Sequence, residues 1–313
     1  MAAATTATDL HGVLVVDKPV GPTSHDVVDR VRRALGTRRA GHTGTLDPFA
    51  SGVLPVCVGK ATRLARFLAA GDKVYEATIR LGFATTTDDL RGEPLGPARP
   101  VAVDRARIDE ACRRLTGSLR QVPPAYSARR VGGQRLYELA RRGVDVERRA
   151  ADVTVHAFDV RGLEGDCVEV AVACSPGTYV RALARDLGDA LGVGGHLVAL
   201  RRTRSGDFAL DGGAVDGASP SPEWSRALRP LSTLLPALPA VQVGPEGAIA
   251  LRHGRDLTRR LVSSGFPEAP PEHVRVLDEA GNLLALAVPR GFGPRAPGLD
   301  VEPVLHPEIV LAG

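Results

Sequence analysis

A stretch rich in glycine, serine and proline at residues 211–239 divides the chain into a long N-terminal part and a shorter C-terminal part. The chain has 313 residues, more than a single hydrophobic core usually supports, so two domains are expected. Residues 12–210 are predicted to form the larger domain and residues 240–313 a small, mostly β domain. Segment 211–239 is predicted to be a linker packed on the larger domain. Residues 1–11 lack the basic and apolar regions of a secretion signal and are predicted to be a disordered tail.

Two hydrophobic periods alternate along the chain. Residues 73–81 alternate apolar and polar side chains, which predicts a strand, whereas apolar residues at helical spacing follow Thr23. The other predicted strands are 12–16, 152–158, 166–174, 273–277 and 283–288, and the other predicted helices are 61–69, 108–115, 133–142 and 180–187. Residues 52–58 form a further apolar run. This mixture predicts the α/β (α+β) fold class.

The composition and motifs exclude several classes of protein. No stretch approaches the roughly 18 consecutive apolar residues of a membrane-spanning helix, so no membrane association is expected. The four cysteines form no Cys-x-x-Cys pair, which favours a reduced, cytoplasmic protein over a disulfide scaffold or a zinc site. Gly59-Lys60-Ala61 lacks the serine or threonine of a phosphate loop, and the eight histidines show no metal-ligand spacing.

Positive charge is concentrated in residues 113–149, which hold ten arginines against three acidic residues, a net of +7. Such a basic segment suggests a polyanionic partner, most simply nucleic acid. A solvated helical surface would have the same composition, so this alternative stays open. Residues 240–313 carry a net charge of −2, which differs from what an RNA-binding domain would be expected to carry.

A glycine-rich segment, Gly41-His42-Thr43-Gly44-Thr45-Leu46-Asp47-Pro48, holds an aspartate on a tight turn. A single aspartate in such a place commonly serves as a turn or cap residue. Tyr75, Tyr179 and Arg181 could join it, since a carboxylate, an arginine and an aromatic platform suit chemistry on a planar base. Taken singly, the tyrosines also suit core or helix-start packing, and the arginine a surface ion pair.

Many short motifs follow one another in order over about residues 12–205. They are Lys18-Pro19 with Gly21, Thr23 and Ser24; Arg39-Ala40 and the glycine-rich segment; Gly52-Val53-Leu54-Pro55; Asp72-Lys73-x-Tyr75; Gln121-x-Pro123-Pro124-x-Tyr126-Ser127-Ala128; Leu136-Tyr137-Glu138; Gly177-Thr178-Tyr179-Val180-Arg181; Gly195-His196-Leu197; and Leu200-Arg201-Arg202. In these motifs the chain closely resembles the TruB-type bacterial tRNA pseudouridine synthases. Residues 240–313 are only loosely similar to the small RNA-binding domain of that family.

The resemblance implies a pseudouridine synthase fold, with a mainly antiparallel central sheet flanked by helices and a small, mostly β, PUA-like C-terminal domain. It implies isomerisation of uridine-55 to pseudouridine in the T-loop of tRNA, with base flipping and with neither a metal nor an organic cofactor. The expected protein is a cytoplasmic monomer that needs no protein partner. His42 is expected to enter the T-loop and occupy the space that the flipped base leaves.

The resemblance also implies roles for residues around the base. Asp47 would be the catalytic aspartate, and Arg181 would pair with it. Tyr75 would pack on the uracil and assist proton handling, while Tyr179 and Leu200 would shape the same pocket. Whether Asp47 attacks the ring, attacks the sugar or removes a ribose proton stays open.

Two other functions are considered. A non-catalytic RNA-binding or RNA-remodelling protein would also use the basic surface, but it gains nothing from a carboxylate such as Asp47 beside RNA phosphates. A synthase of the same fold that acts on ribosomal RNA is the second alternative, and the segment from Gly41 to Asp47 argues against it.

Overall fold

The structure, a computed structural model, describes residues 10–127, 130–131, 134–135, 142, 148–211, 213–292 and 302–312. The strands are β1 (Gly12–Lys18), β2 (Ala40–His42), β3 (Ser51–Val58), β4 (Lys73–Leu81), β5 (Gly117–Gln121), β6 (Arg130–Val131), β7 (Gln134–Arg135), β8 (Ala151–Glu164), β9 (Cys167–Cys174), β10 (Gly195–Ser205), β11 (Phe208–Ala209), β12 (Val215–Asp216), β13 (Ala240–Val243), β14 (Leu257–Thr258), β15 (Val262–Ser264), β16 (Val274–Leu277), β17 (Leu283–Arg290) and β18 (Val304–Val310). The α-helices are α1 (Ser24–Ala34), α2 (Ala65–Ala69), α3 (Arg105–Arg114), α4 (Val180–Ala190) and α5 (Pro245–Arg252).

The larger sheet has ten strands in the order β12-β1-β3-β10-β4-β9-β8-β5, with β2 paired to β3 and β11 paired to β10. Its pairs are antiparallel except β1 with β12 and β3 with β10. Strand β4 alternates strictly between more and less buried residues, as its sequence predicts. The predicted mixed fold with a mainly antiparallel sheet is therefore confirmed.

Helix α1 begins at the predicted capping box. The Thr23 hydroxyl accepts a hydrogen bond from Asp26 N at 3.1 Å, and the Asp26 carboxylate accepts one from Thr23 N at 2.8 Å. These two bonds satisfy backbone donors that a helix start otherwise leaves unpaired. The helix ends before Gly36, whose φ of +61° suits glycine.

The helix predicted at 61–69 is only partly correct. Residues Gly59–Leu64 form a 3-10 turn, and the α-helix is confined to Ala65–Ala69. The Thr62 hydroxyl donates to Gly59 O at 2.8 Å, and such local side-chain bonds compete with the i to i−4 pattern of an α-helix.

The helix predicted at 133–142 differs from the structure at its start. Strand β7 pairs with β6 in an antiparallel hairpin, so residues 134–135 are extended. The rest of the predicted helix, apart from Arg142, lies outside the described residues. So does the predicted tail, apart from residues 10–11.

Segment 211–239 packs on the larger sheet. Its strand β12 extends that sheet beyond β1, and Val13 and Arg229 exchange backbone hydrogen bonds of 2.9 Å. The Trp224 side chain is buried in the core of the same sheet. The segment is thus held to the body by sheet pairing as well as by apolar contact.

The second sheet has six strands in the order β14-β18-β17-β16-β13-β15, with α5 packed against it. The predicted hairpin at 273–288 is present as β16 and β17. Leu283, Leu286 and Leu311 belong to an apolar cluster that also contains Val13 and Val15 of β1, so the two sheets share a buried contact. Within the described ranges, no helix is both long and apolar enough to span a membrane.

Candidate active site

Asp47 lies in the loop between β2 and β3, and both flanks of this loop are held. The buried hydroxyl of Ser24, the first residue of α1, donates to Leu46 O at 2.9 Å and accepts from Leu46 N at 2.8 Å. The Lys18 ammonium group donates to Ala50 O at 2.7 Å. The Asp47 side chain is 30% exposed, so a ligand can reach a carboxylate whose backbone is fixed.

Arg181 forms the main contact of that carboxylate. Its Nε lies 2.9 Å from Asp47 Oδ2, while Nη1 donates to Thr87 O at 2.9 Å and Nη2 to Tyr126 O at 2.7 Å. Arg181 is only 4% exposed, so it is not a surface cation. Because each guanidinium nitrogen has a partner, the direction of Nε toward Asp47 is fixed.

A second carboxylate, Asp89, also lies near the Arg181 guanidinium and was missed in the sequence. Asp89 is 1% exposed, and its Oδ2 lies 3.7 Å from Arg181 Nη1 without a hydrogen-bond partner. Its Oδ1 accepts from the Thr87 hydroxyl at 2.7 Å and from Arg91 N at 3.0 Å. The only sequence signal was the pair Asp88-Asp89 after three threonines, which does not indicate burial.

Tyr75 and Leu200 lie on the neighbouring strands β4 and β10, and both are 9% exposed. The register pairs Tyr75 with Arg202 and Leu200 with Ala77, so the two predicted pocket residues are close. Burial raises the pKa of Tyr75 and so does the charge of Asp47, whereas the Arg202 guanidinium lowers it by charge and by hydrogen bond. The phenol is therefore protonated at neutral pH.

Tyr179 is the N-cap residue of α4, two positions before Arg181. The Gln121 side chain forms two hydrogen bonds with the backbone of Tyr179. Tyr179 N donates to Gln121 Oε1 at 2.8 Å, and Gln121 Nε2 donates to Tyr179 O at 3.1 Å. Gln121 is buried, so this pair of bonds ties the end of β5 to the start of α4. The sequence motif that contains Gln121 did not indicate this contact.

His42 lies on β2, where it pairs with Val56 of β3. Burial lowers the pKa of His42, and the charge of Arg202 acts in the same direction, so the imidazole is neutral at neutral pH. Its Nδ1 is buried without a hydrogen-bond partner. In the described part of the chain, His42 forms no hydrogen bond or ion pair with Asp47 or Arg181.

Two further buried cations border the loop that carries Asp47. Burial lowers the pKa of Lys18 to about 8, and the charge of Asp47 partly opposes this effect. Arg202 donates from Nε to Val53 O at 2.8 Å and from Nη2 to Gly44 O at 3.0 Å. The site thus combines one accessible carboxylate with three buried cations, whereas no group of three His, Cys, Asp or Glu in the described ranges could hold a metal ion.

Comparison with known proteins identifies relatives of this chain. Residues 32–180 match the N-terminal domain of the TruB family pseudouridylate synthases, and residues 181–216 match the tRNA pseudouridylate synthase B C-terminal domain. The tRNA pseudouridine synthase B of Ralstonia nicotianae is 46% identical over 294 residues, which cover 90% of this chain and 92% of that protein. The tRNA pseudouridine synthase B of Thermobifida fusca is 57% identical over 212 residues, which cover 65% of this chain and 72% of that protein.

The fold has a counterpart among solved structures. A chain of the crystal structure of a Cbf5-Nop10-Gar1 complex superposes with a TM-score of 0.72 at 28% identity, covering 96% of this chain and 85% of that chain. Sequence relatives that span most of the chain and a matching fold lead to one assignment. The chain belongs to the TruB family of tRNA pseudouridine synthases.

Proposed function

We propose that this chain isomerises uridine-55 to pseudouridine in the T-loop of tRNA. The N-glycosidic bond breaks, the freed uracil turns, and a new bond forms between its C5 and the ribose carbon, while the proton of C5 is lost to solvent and N1 gains one. The observation that carries the proposal is the accessible Asp47 carboxylate, whose Oδ2 lies 2.9 Å from the buried Arg181. Family membership supports the same reaction.

Asp47 is the catalytic residue of the proposal. A carboxylate can act as a nucleophile or as a base, and either role requires a fixed direction toward the reacting atom. The hydrogen bonds of Ser24 to Leu46 and the ion pair with Arg181 give Asp47 that direction. The proposal covers attack on the ring, attack on the sugar and removal of a ribose proton.

The remaining residues would bind the flipped base and its RNA. Tyr75 would pack on the uracil, with Tyr179 and Leu200 as further walls, and His42 would occupy the space that the base leaves. Extruding a base costs roughly a few kcal/mol, and less for a loop base than for a paired one. Phosphate contacts from the basic segment 113–149 would offset that cost.

We propose a separate role for each of the two sheets. Residues 12–210 would form the catalytic domain, 211–239 a segment packed on it, and 240–313 a PUA-like domain that makes a small contribution to RNA affinity. The cluster shared by Val15 and Leu286 supports a fixed attachment between the sheets.

The test is incubation with an unmodified tRNA transcript, followed by carbodiimide treatment and mapping of primer stops. We expect a stop that reports pseudouridine at position 55, no such stop with Asp47→Asn, and an unchanged stop with Asp17→Asn. Asp17 is a matched control because its side chain has similar exposure and pairs with Arg201 rather than with Arg181.

Three outcomes would contradict the proposal. Binding of tRNA without a stop would indicate a non-catalytic RNA-binding protein. A stop in a ribosomal RNA transcript but not in tRNA would indicate a different substrate. Loss of the wild-type stop in excess EDTA would indicate a metal requirement that the proposal does not include.

A further inference from the structure

Arg202 is a buried cation without a carboxylate partner. It is 1% exposed, and in the described part of the chain its hydrogen bonds go to the backbone carbonyls of Val53 and Gly44 rather than to an acidic side chain. Buried arginines are usually paired with an anion because removing a guanidinium from water is costly. An arginine that is buried without an anionic partner is expected to do more than pack in the strand.

The neighbour of Arg202 across the sheet is Tyr75. The two residues are direct partners in the antiparallel pair β4–β10, so their side chains project from the same face and their Cβ atoms are about 5 Å apart. On the other side, β3 approaches closely: a Cβ on Gly52 would lie 2.2 Å from Arg202 O, and Gly52 has a φ of +102°. Arg202 is therefore held by close backbone contact as well as by hydrogen bonds.

The chemistry of the guanidinium determines what it can do to the phenol. An arginine donates hydrogen bonds and cannot accept one, so a phenol oxygen beside it acts as the acceptor. The phenolic O–H of Tyr75 is then directed away from Arg202. The same guanidinium donates to Gly44 O, three residues before Asp47.

We propose that Arg202 is a positioning residue for Tyr75. It holds the Tyr75 side chain in a fixed position relative to the loop that carries Asp47, and it directs the phenolic O–H at the base. Arg202 is buried, so it does not touch the RNA, and it acts through Tyr75 and through its bond to Gly44 O. The consequence for the base rests on the function proposed above; the effect of Arg202 on the phenol does not.

The other charged or titratable groups near Tyr75 are the Asp47 carboxylate from the loop and the Cys174 thiol from β9. Lys18 from β1, Lys73 from β4 and His42 from β2 lie within electrostatic range of Arg202 itself. None of them is the cross-strand partner of Tyr75 on β10. Removing Arg202 alone therefore isolates its effect on the phenol.

The test replaces Tyr75 by a difluorotyrosine, whose lower pKa brings its ionisation into the pH range of the folded protein, and follows phenolate absorbance without RNA. Arg202→Gln should lower the ionisation constant of this residue on the order of tenfold, since a lost cation disfavours the phenolate. Arg201→Gln is the matched control, because Arg201 is the adjacent arginine on β10 and pairs with Asp17. It should change the constant by less than about twofold.

A second arm measures single-turnover release of tritium from 5-tritiated uridine tRNA. Arg202→Lys keeps the charge, but a single ammonium group cannot reach both Val53 O and Gly44 O. This variant should therefore slow the reaction about tenfold with little change in KM. Added to Tyr75→Phe, the same substitution should slow the reaction clearly less than tenfold, because the part of its effect that acts through the phenol is absent.

Several results would overturn the proposal. The first is an unchanged ionisation constant in folded Arg202→Gln, and the second is a wild-type single-turnover rate for Arg202→Lys. The third is a double variant whose rate loss equals the product of the losses of Arg202→Lys and Tyr75→Phe. If Arg202→Gln does not fold, Arg202→Lys decides between the outcomes. Absence of isomerase activity in the wild type would contradict the proposed function and leave the titration result standing.

Discussion

Replacing Arg181 by lysine tests whether the geometry of the guanidinium, and not its charge alone, directs Asp47. Arg181 uses Nε for Asp47, Nη1 for Thr87 O and Nη2 for Tyr126 O. A lysine presents three donors from a single nitrogen, which cannot reproduce a planar fork that reaches three separate acceptors. We expect the lysine variant to leave one or two of these acceptors without a partner.

The magnitude follows from burial. A buried polar group that loses its hydrogen bond costs about 1–3 kcal/mol, so the free energy of unfolding should fall by about 2–4 kcal/mol. The turnover should fall on the order of 10²-fold, which corresponds to about 3 kcal/mol, because a misdirected carboxylate no longer meets the reacting atom. Affinity for tRNA should change little, since Arg181 is almost completely buried.

The assay is single-turnover tritium release at saturating enzyme, with thermal unfolding in parallel. Arg185→Lys is the matched control, because Arg185 lies one turn later on α4 and bonds Asp88, Asp186 and Val122 O. It should lose stability and keep its rate within about threefold of wild type. The reasoning is refuted if Arg181→Lys also stays within about threefold, roughly 0.7 kcal/mol, or if both variants slow equally.

Three further predictions concern other parts of the molecule. Asp89→Asn keeps the shape but removes a buried counter-charge of Arg181, so it should slow tritium release about tenfold or more and lower the free energy of unfolding by about 3–5 kcal/mol. A variant with wild-type rate and stability would contradict this. The pKa of Lys18 is about 8 in the folded protein and 10.5 as its ordinary value, so the unfolded chain binds more protons between these pH values and the contribution of Lys18 to stability rises with pH across that window. Urea unfolding at about pH 8 and about pH 10 should show the wild type gaining stability relative to Lys18→Met, and equal changes in both proteins would argue against it. Leu286→Ala opens a cavity in the cluster that the two sheets share and should lower the free energy of unfolding by about 2–5 kcal/mol in urea. A loss below about 1 kcal/mol would mean that this contact is loosely packed.

The sequence by itself determined the local elements and the family. The alternation at 73–81, the capping box at Thr23 and the hairpin at 273–288 were predictable because each depends on neighbours in the chain. The motif series indicated TruB-type synthases, and the sequence relatives confirm it. The predicted helix at 61–69 was partly wrong because apolar spacing does not report a competing bond from Thr62.

Only the tertiary structure decided what surrounds Asp47. The buried Asp89 beside Arg181 and the register of Tyr75 with Arg202 both join residues that are far apart in the sequence. The pairing of Asp47 with Arg181 was expected only from the family resemblance, and the two side chains lie 2.9 Å apart. Hydrophobic periodicity tells which face of a strand is buried but not which strand lies beside it. Many of the bonds that fix these side chains also end on backbone carbonyls, which every residue carries and no motif marks. The direction of the Asp47 carboxylate is therefore a property of the folded sheet.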